Sequence, residues 1–225
     1  MGKFDEALDN YNTSLTIKNH LLGPHNPEVA DTYGNMGCIY DSMQDFAKAL
    51  EYHNHDLEIK LQVFGPKHPE TACVYNNIGE VYRHQAKHTE ALQMYQRTLT
   101  VLLAVHGPEH PDVAMTYNNI GCVYDALGDY PKALKYHNSN LEIALRVLGE
   151  NHTDVAKTYC NIGCVYHSLQ DYPKALEYYN RDLKIALKAL GPDHPQVTDT
   201  RYNIDLLLQE QRSGILERGC HLRRQ

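Results

Sequence analysis

The sequence predicts an all-α fold, an array of antiparallel helix hairpins, and three observations lead to it. Gly23, Gly65, Gly107, Gly149 and Gly191 follow one another at intervals of 42 residues. Four of the five open a Gly-Pro turn (GPHNP, GPKHP, GPEHP and GPDHP), and GENHT is the variant. Between these marks each unit holds two stretches whose apolar residues recur at helical spacing, a repeat that outweighs any other signal in the chain.

The elements follow in chain order. Residues 3–22 match only a second helix; complete hairpins follow at 27–64, 69–106, 111–148 and 153–190; residues 195–212 match only a first helix. In the third hairpin the first segment places Val113, Tyr117, Ile120, Gly121 and Tyr124 on one helical stripe. Asp129 then stands as an N-cap, and Ala133, Leu134, His137, Leu141, Leu145 and Leu148 continue the pattern. Pro131 and Pro173 fall in a first turn, where a missing N–H costs little. The inter-unit glycines read as C-caps, and His68, His110 and His194 as turn and near-cap residues rather than ligands.

Gly37, Gly79, Gly121 and Gly163 sit inside helices, each at a cost of roughly 1 kcal/mol against Ala. Close packing against Ala49, Ala91, Ala133 and Ala175 of the partner helices is the expected compensation. Both ends are half units that carry apolar residues, Phe4, Leu8 and Ile17 at one end and Ile204, Leu207 and Leu208 at the other. Repeat arrays need polar caps, so the chain is expected to be part of a longer protein or to associate through these ends. Residues 213–225 leave the pattern and read as an irregular, solvated tail; binding of its arginines, with Arg212, to an acidic surface is the alternative.

A formal charge of −7 and a pI near 6.0 exclude a basic footprint for nucleic acid. No apolar run reaches membrane length and the N-terminus lacks a signal layout, so a cytoplasmic protein without membrane insertion is expected. Cys38, Cys122 and Cys164 share one register of the repeat, which points to free thiols rather than disulfides.

At Tyr117-x2-Ile120-Gly121-x2-Tyr124 and Ala91-x3-Tyr95 the chain resembles the tetratricopeptide repeat family. Tyr33, Tyr75, Tyr117 and Tyr159 replace the usual Trp, and His53 and His137 replace the last aromatic in two units. The 42-residue period and the LGPxHP-like turn are similar to the variant in kinesin light chains and nephrocystin-3-like proteins. The resemblance implies a right-handed solenoid whose first helices line a concave groove for a peptide or partner segment.

Asn35, Asn77, Asn119, Asn161 and Asn203 recur once per unit on those first helices. Each offers a donor and an acceptor to a peptide backbone, and the family grips peptides with an Asn at the matching place; bridging between adjacent helices is the other role. Asn76 and Asn118 lie in a variable row with Cys160 and Tyr202, and Asp125 in another with Asp41, Arg83 and His167. Arg83, alone among acids, and Lys157 are the expected counter-charges for a ligand carboxylate, although the full cationic clamp of some family members is missing. A competing metal or thiol site is Cys160, Cys164 and His167 on one stripe, with Cys122 on the preceding hairpin and His84 and His88 elsewhere. Cys160 and His167 lie roughly 10 Å apart along the axis, which strains coordination of one ion. No catalytic motif occurs, so the chain is expected to be no enzyme and to use no cofactor or metal. The expected function is a protein-interaction scaffold that binds a peptide in the groove; the alternative is a structural spacer that self-associates through its half repeats.

Overall fold

The computed structural model describes the backbone of residues 2–222 and the side chains of residues 4–212. Among the described residues there are ten helices and no strand. They divide into two compact units, Met1–Pro108 and Glu109–Gln225. The first holds α1 (Gly2–Leu22), α2 (Pro27–Ser42), α3 (Phe46–Val63), α4 (Pro69–His84) and α5 (His88–His106). The second holds α6 (Pro111–Ala126), α7 (Tyr130–Leu148), α8 (Thr153–Ser168), α9 (Tyr172–Leu190) and α10 (Pro195–Leu222). In unit 1, α2 pairs with α3 and α4 with α5, while α1 packs on α2; in unit 2, α6 pairs with α7 and α8 with α9, while α10 packs on α9. Helix α10 runs past residue 212, where the repeat pattern stops, so the irregular stretch expected there is helical as far as Leu222, and Arg223 and Arg224 lie outside the described residues. No helix among the described residues is long and apolar enough to cross a membrane.

Local chemistry sets where the helices begin and end. His68, His110 and His152 are N-caps with extended backbone, and each ring Nδ1 accepts the backbone N–H two residues on, at 3.2, 3.2 and 3.1 Å. His194 makes the same bond to Gln196 at 3.2 Å, and Asn26 makes it to Glu28 at 2.9 Å. A ring nitrogen that accepts carries no proton, so these histidines hold it on Nε2. Asp45, Asp129 and Asp171 cap α3, α7 and α9 through the N–H of Lys48, Lys132 and Lys174. Gly107, Gly149 and Gly191 close α5, α7 and α9 at φ 81°, 82° and 86° with ψ above 160°, a region open essentially to glycine alone.

The atoms nearest the glycines within helices belong to rings of the second helices. A Cβ built on Gly37, Gly79, Gly121 or Gly163 would lie 2.7 Å from the ring of His53, Tyr95, His137 or Tyr179. The expected partners Ala49, Ala91, Ala133 and Ala175 are fully buried one turn earlier on the second helix. A flat ring needs the width of a missing side chain, and glycine leaves that slot. Tyr95 uses it to send its hydroxyl to Glu80 Oε1 at 2.5 Å, and Tyr179 to Cys164 Sγ at 3.5 Å. His53 and His137 are shorter, and their buried Nδ1 atoms find no partner.

One polar register of the second helices bonds to first helices, within its own hairpin at Thr98 and to the following first helix at Asn140 and Asp182. Thr98 donates to the Ala72 carbonyl at 3.1 Å, Asn140 donates to Thr158 at 3.1 Å, and Asp182 accepts from Thr200 and, at 2.8 Å, from Gln196. Asp56 holds that register in the first hairpin, where Val74 stands in place of a threonine. Lys60 lies 3.4 Å from Asp56, in ion-pair contact without a hydrogen bond to Oδ1, and bonds instead to Asp31 at 2.9 Å and Glu70 at 3.2 Å. Burial outweighs Lys60 and pushes the Asp56 carboxyl up to about 7.

Two predictions come from the ring slot. Gly79→Ala should cost roughly 1–3 kcal/mol in urea unfolding, because Tyr95 is anchored by Glu80 and cannot retreat; an unchanged midpoint would contradict the slot. Burial lowers His53 and His137 from 6.5 to about 4, so both stay neutral in the fold. Their share of the stability is complete above pH 6.5 and is lost as pH falls toward 4, at about 1.4 kcal/mol per unit for each group. The double variant His53→Phe, His137→Phe should therefore flatten the acid side of a melting-temperature profile, and a profile as steep as that of the native chain would refute the assignment.

Candidate functional site

The asparagine row lies on the first helices, described here unit by unit. In unit 1 Asn35 is exposed and Asn76 and Asn77 are half-buried; in unit 2 Asn118, Asn119, Asn161 and Asn203 are half-buried. Asn161 Nδ2 donates to Asn118 Oδ1 at 2.8 Å, and Asn203 Nδ2 to Cys160 Sγ at 4.0 Å. In both cases the amide reaches the residue that precedes the asparagine of the preceding first helix. The row therefore bridges first helices at these two places. An amide has two donors and two acceptor lone pairs, so at Asn161 the bridge leaves Oδ1 and one N–H for a ligand.

The basic candidates Arg83 and Lys157 already have partners. Arg83, the base that stands among the acids of its row, is itself paired: its Nη2 and Nε lie 2.6 and 3.1 Å from Glu80 Oε2, and Glu80 is held by Tyr95. His84 Nε2 is 2.9 Å from Arg83 Nη2, and its Nδ1 is 3.0 Å from both oxygens of Asp41. A guanidinium can only donate, so Nε2 accepts and the proton sits on Nδ1, facing Asp41. Asp125 is half-buried, and burial raises its carboxyl above the usual range. Lys157 is exposed and pairs with Asp154 at 3.0 Å. Exposed pairs of that kind contribute about 0–1 kcal/mol, so an incoming carboxylate replaces Asp154 at little cost.

Unit 2 brings Asn118, Asn119 and Lys157 into one cleft of about 320 Å³, where α6, α7 and α8 meet. Met115, Ile143 and Val147 supply its apolar wall. Met115 is 56% exposed, enough to touch a ligand rather than only the core. Sequence reasoning passed over it, although it stands one period before Lys157 and so belongs to the same row. Ile143 and Val147 come from the second helix α7, and only the packing of three helices brings them here.

The sulfur stripe is tied to protein donors. Cys160 and Cys164 interact, and the neighbouring thiol together with burial raises Cys160. Cys164 accepts from Tyr179, and Cys122 Sγ accepts from Asn118 Nδ2 at 3.9 Å. His167 faces Glu210 with Nε2 at 2.9 Å and the Tyr179 hydroxyl with Nδ1 at 3.5 Å, so both of its nitrogens are engaged. His84 faces Asp41 and Arg83, while His88 has a buried Nδ1 without a partner.

The tetratricopeptide repeat pattern matches residues 1–62, 43–103, 70–139 and 123–188. Among solved structures, BtubC (BKLC) from P. vanneervenii is similar, with a TM-score of 0.76 and 20% identity over 98% of this chain and 89% of that one. A kinesin light chain-like protein of nearly identical TPR-like repeats from Podosopora anserina aligns with a TM-score of 0.67 and 16% identity over 84% of this chain and 90% of that one. The apo form of RapI aligns with a TM-score of 0.74 and 19% identity, covering 96% of this chain and 58% of that one. No curated protein matches the sequence. With the pattern matched from residue 1 to residue 188, the chain belongs to the tetratricopeptide repeat family.

Proposed function

We propose that the first helices of this protein-interaction scaffold hold an extended segment of a partner protein, and that the unit 2 cleft receives one of its side chains. The observation that carries this reading is the convergence of Asn118, Asn119 and Lys157 with the apolar wall of Met115, Ile143 and Val147. The amides offer hydrogen bonds to a peptide backbone, and the wall offers apolar area to a side chain. Asn161 and Asn203 extend the row in unit 2, and Asn35, Asn76 and Asn77 form its counterpart in unit 1. Arg83 and Asp125 act at its edge, Arg83 only where a ligand carboxylate competes with Glu80. The function is binding, without catalysis. A cytoplasmic location is part of the proposal, in keeping with Cys38, Cys160 and Cys164 standing outside any disulfide.

The alternative, assembly through the half repeats, is supported on α1, where Phe4, Ile17 and Leu21 are 40, 53 and 71% exposed. It is opposed on α10. Asp205 stands there at the register of Gly163, so a second helix packed as in the hairpins would drive its ring into the Asp205 Cβ.

Two measurements test these readings. A peptide-library screen on the purified chain should yield a bound sequence whose affinity falls on the order of tenfold or more in the triple variant Met115→Ala, Asn119→Ala, Lys157→Ala. Replacing exposed Lys184 should leave it unchanged, and equal binding by the triple variant would end the cleft reading. Light scattering across a dilution series should stay at the 25.7 kDa of one chain; a mass that climbs with concentration would favour assembly through α1.

A further inference from the structure

The repeat allows the molecule to be compared with itself. On α9, Arg181 lies 5.5 Å over the ring of Tyr159, and its Nη2 donates to Glu177 at 2.6 Å. Two periods earlier, on α5, Arg97 lies over Tyr75 at the same 5.5 Å. The residue that corresponds to Glu177 is Gln93, so the carboxylate that neutralises this arginine in the last hairpin is replaced by an amide. Arg97 and Lys67 line one cleft of about 600 Å³ in unit 1, and among the described residues neither has a carboxylate partner. The chain as a whole carries a net charge of −7, and Lys48, Arg83, Lys132, Lys174 and Arg181 each lie in ion-pair contact with a carboxylate three or four residues away. What marks Arg97 and Lys67 is that both line one cleft that no carboxylate enters.

The chemistry of the cleft selects its ligand. The ring of Tyr75 covers one face of the guanidinium and leaves its N–H edge, which matches two oxygens of a carboxylate or phosphate through parallel bonds. Lys67 adds a second positive charge, and Gln93, Gln96 and Thr100 add neutral donors at the rim. No acidic side chain lines the cleft. Its volume far exceeds that of one anionic group, which suits a ligand carried on a larger body. We propose that this cleft is a second binding site, for an oxyanion-bearing side chain of a partner polypeptide. It shares no residue with the asparagine row and stands independently of the groove reading.

The test uses the whole chain and three short hydrophilic peptides that differ only at one central position, phosphoserine, glutamate or serine. The readout is the NMR signal of the Arg97 Nε–H group during titration. The phosphoserine peptide, the glutamate peptide or both should move that signal and the serine peptide should not; which of the two acts identifies the oxyanion as phosphate or carboxylate. Gln93→Glu should weaken binding on the order of tenfold, because it installs in cis the carboxylate that Glu177 presents to Arg181, an arrangement the fold already accommodates. Arg97→Lys should keep part of the affinity and Arg97→Gln should lose it. A serine peptide as effective as the acidic ones, no response to either acid, or unchanged binding by Gln93→Glu would each overturn the proposal.

Discussion

The edge of a buried ring occupies the place of a missing Cβ in every hairpin, and the rest of each unit is arranged around that contact. It brings the first and second helices close enough that alanine in place of glycine would collide with the ring at 2.7 Å. The cost of glycine within a helix is small beside what a buried aromatic side chain contributes, so the exchange favours the fold. The contact also reaches the candidate surface. Tyr95 fixes Glu80, Glu80 fixes Arg83, and Arg83 with Asp41 sets the tautomer of His84. One core packing event thereby orients four polar side chains of unit 1.

Binding by such a surface is an exchange of partners. Asn161 already bonds to Asn118, Arg83 to Glu80 and Lys157 to Asp154. These bonds are partly solvent-exposed, and each contributes little enough for a ligand group to take its place. They hold the side chains ready before a ligand arrives, which lowers the ordering cost of association. Affinity is then expected to come from apolar area, as at Met115 and Val147, with the amides setting direction.

Within a constant frame the repeats diverge at fixed registers. The ring slot holds His53, Tyr95, His137 and Tyr179, and the polar register holds Asp56, Thr98, Asn140 and Asp182. Changes at such positions alter chemistry while leaving the helices in place. A buried histidine brings acid sensitivity, a buried aspartate carries a raised pKa, and a glutamine in place of a glutamate leaves an arginine open to a ligand. The same backbone thus carries different local properties along its length.

The sequence by itself determined the helices, their order and most of their caps, because a 42-residue period and capping side chains act over a few residues. His110 and Asp129 were legible as cap residues for that reason. The left-handed turns at Gln44, Ala86 and Gln170 were not, since none of these residues advertises a positive φ of 55–61°. Nor was the close approach of a ring to each of Gly37, Gly79, Gly121 and Gly163, because the ring lies one turn beyond the alanine on the same helix and its distance is set by the packed pair of helices. The candidate site divides in the same way. The asparagine row is a periodicity and could be read directly. The bond from Asn161 to Asn118, the pairing of Arg83 with Glu80 and the wall that α7 lends to the cleft depend on how neighbouring helices are seated, which tertiary packing alone decides.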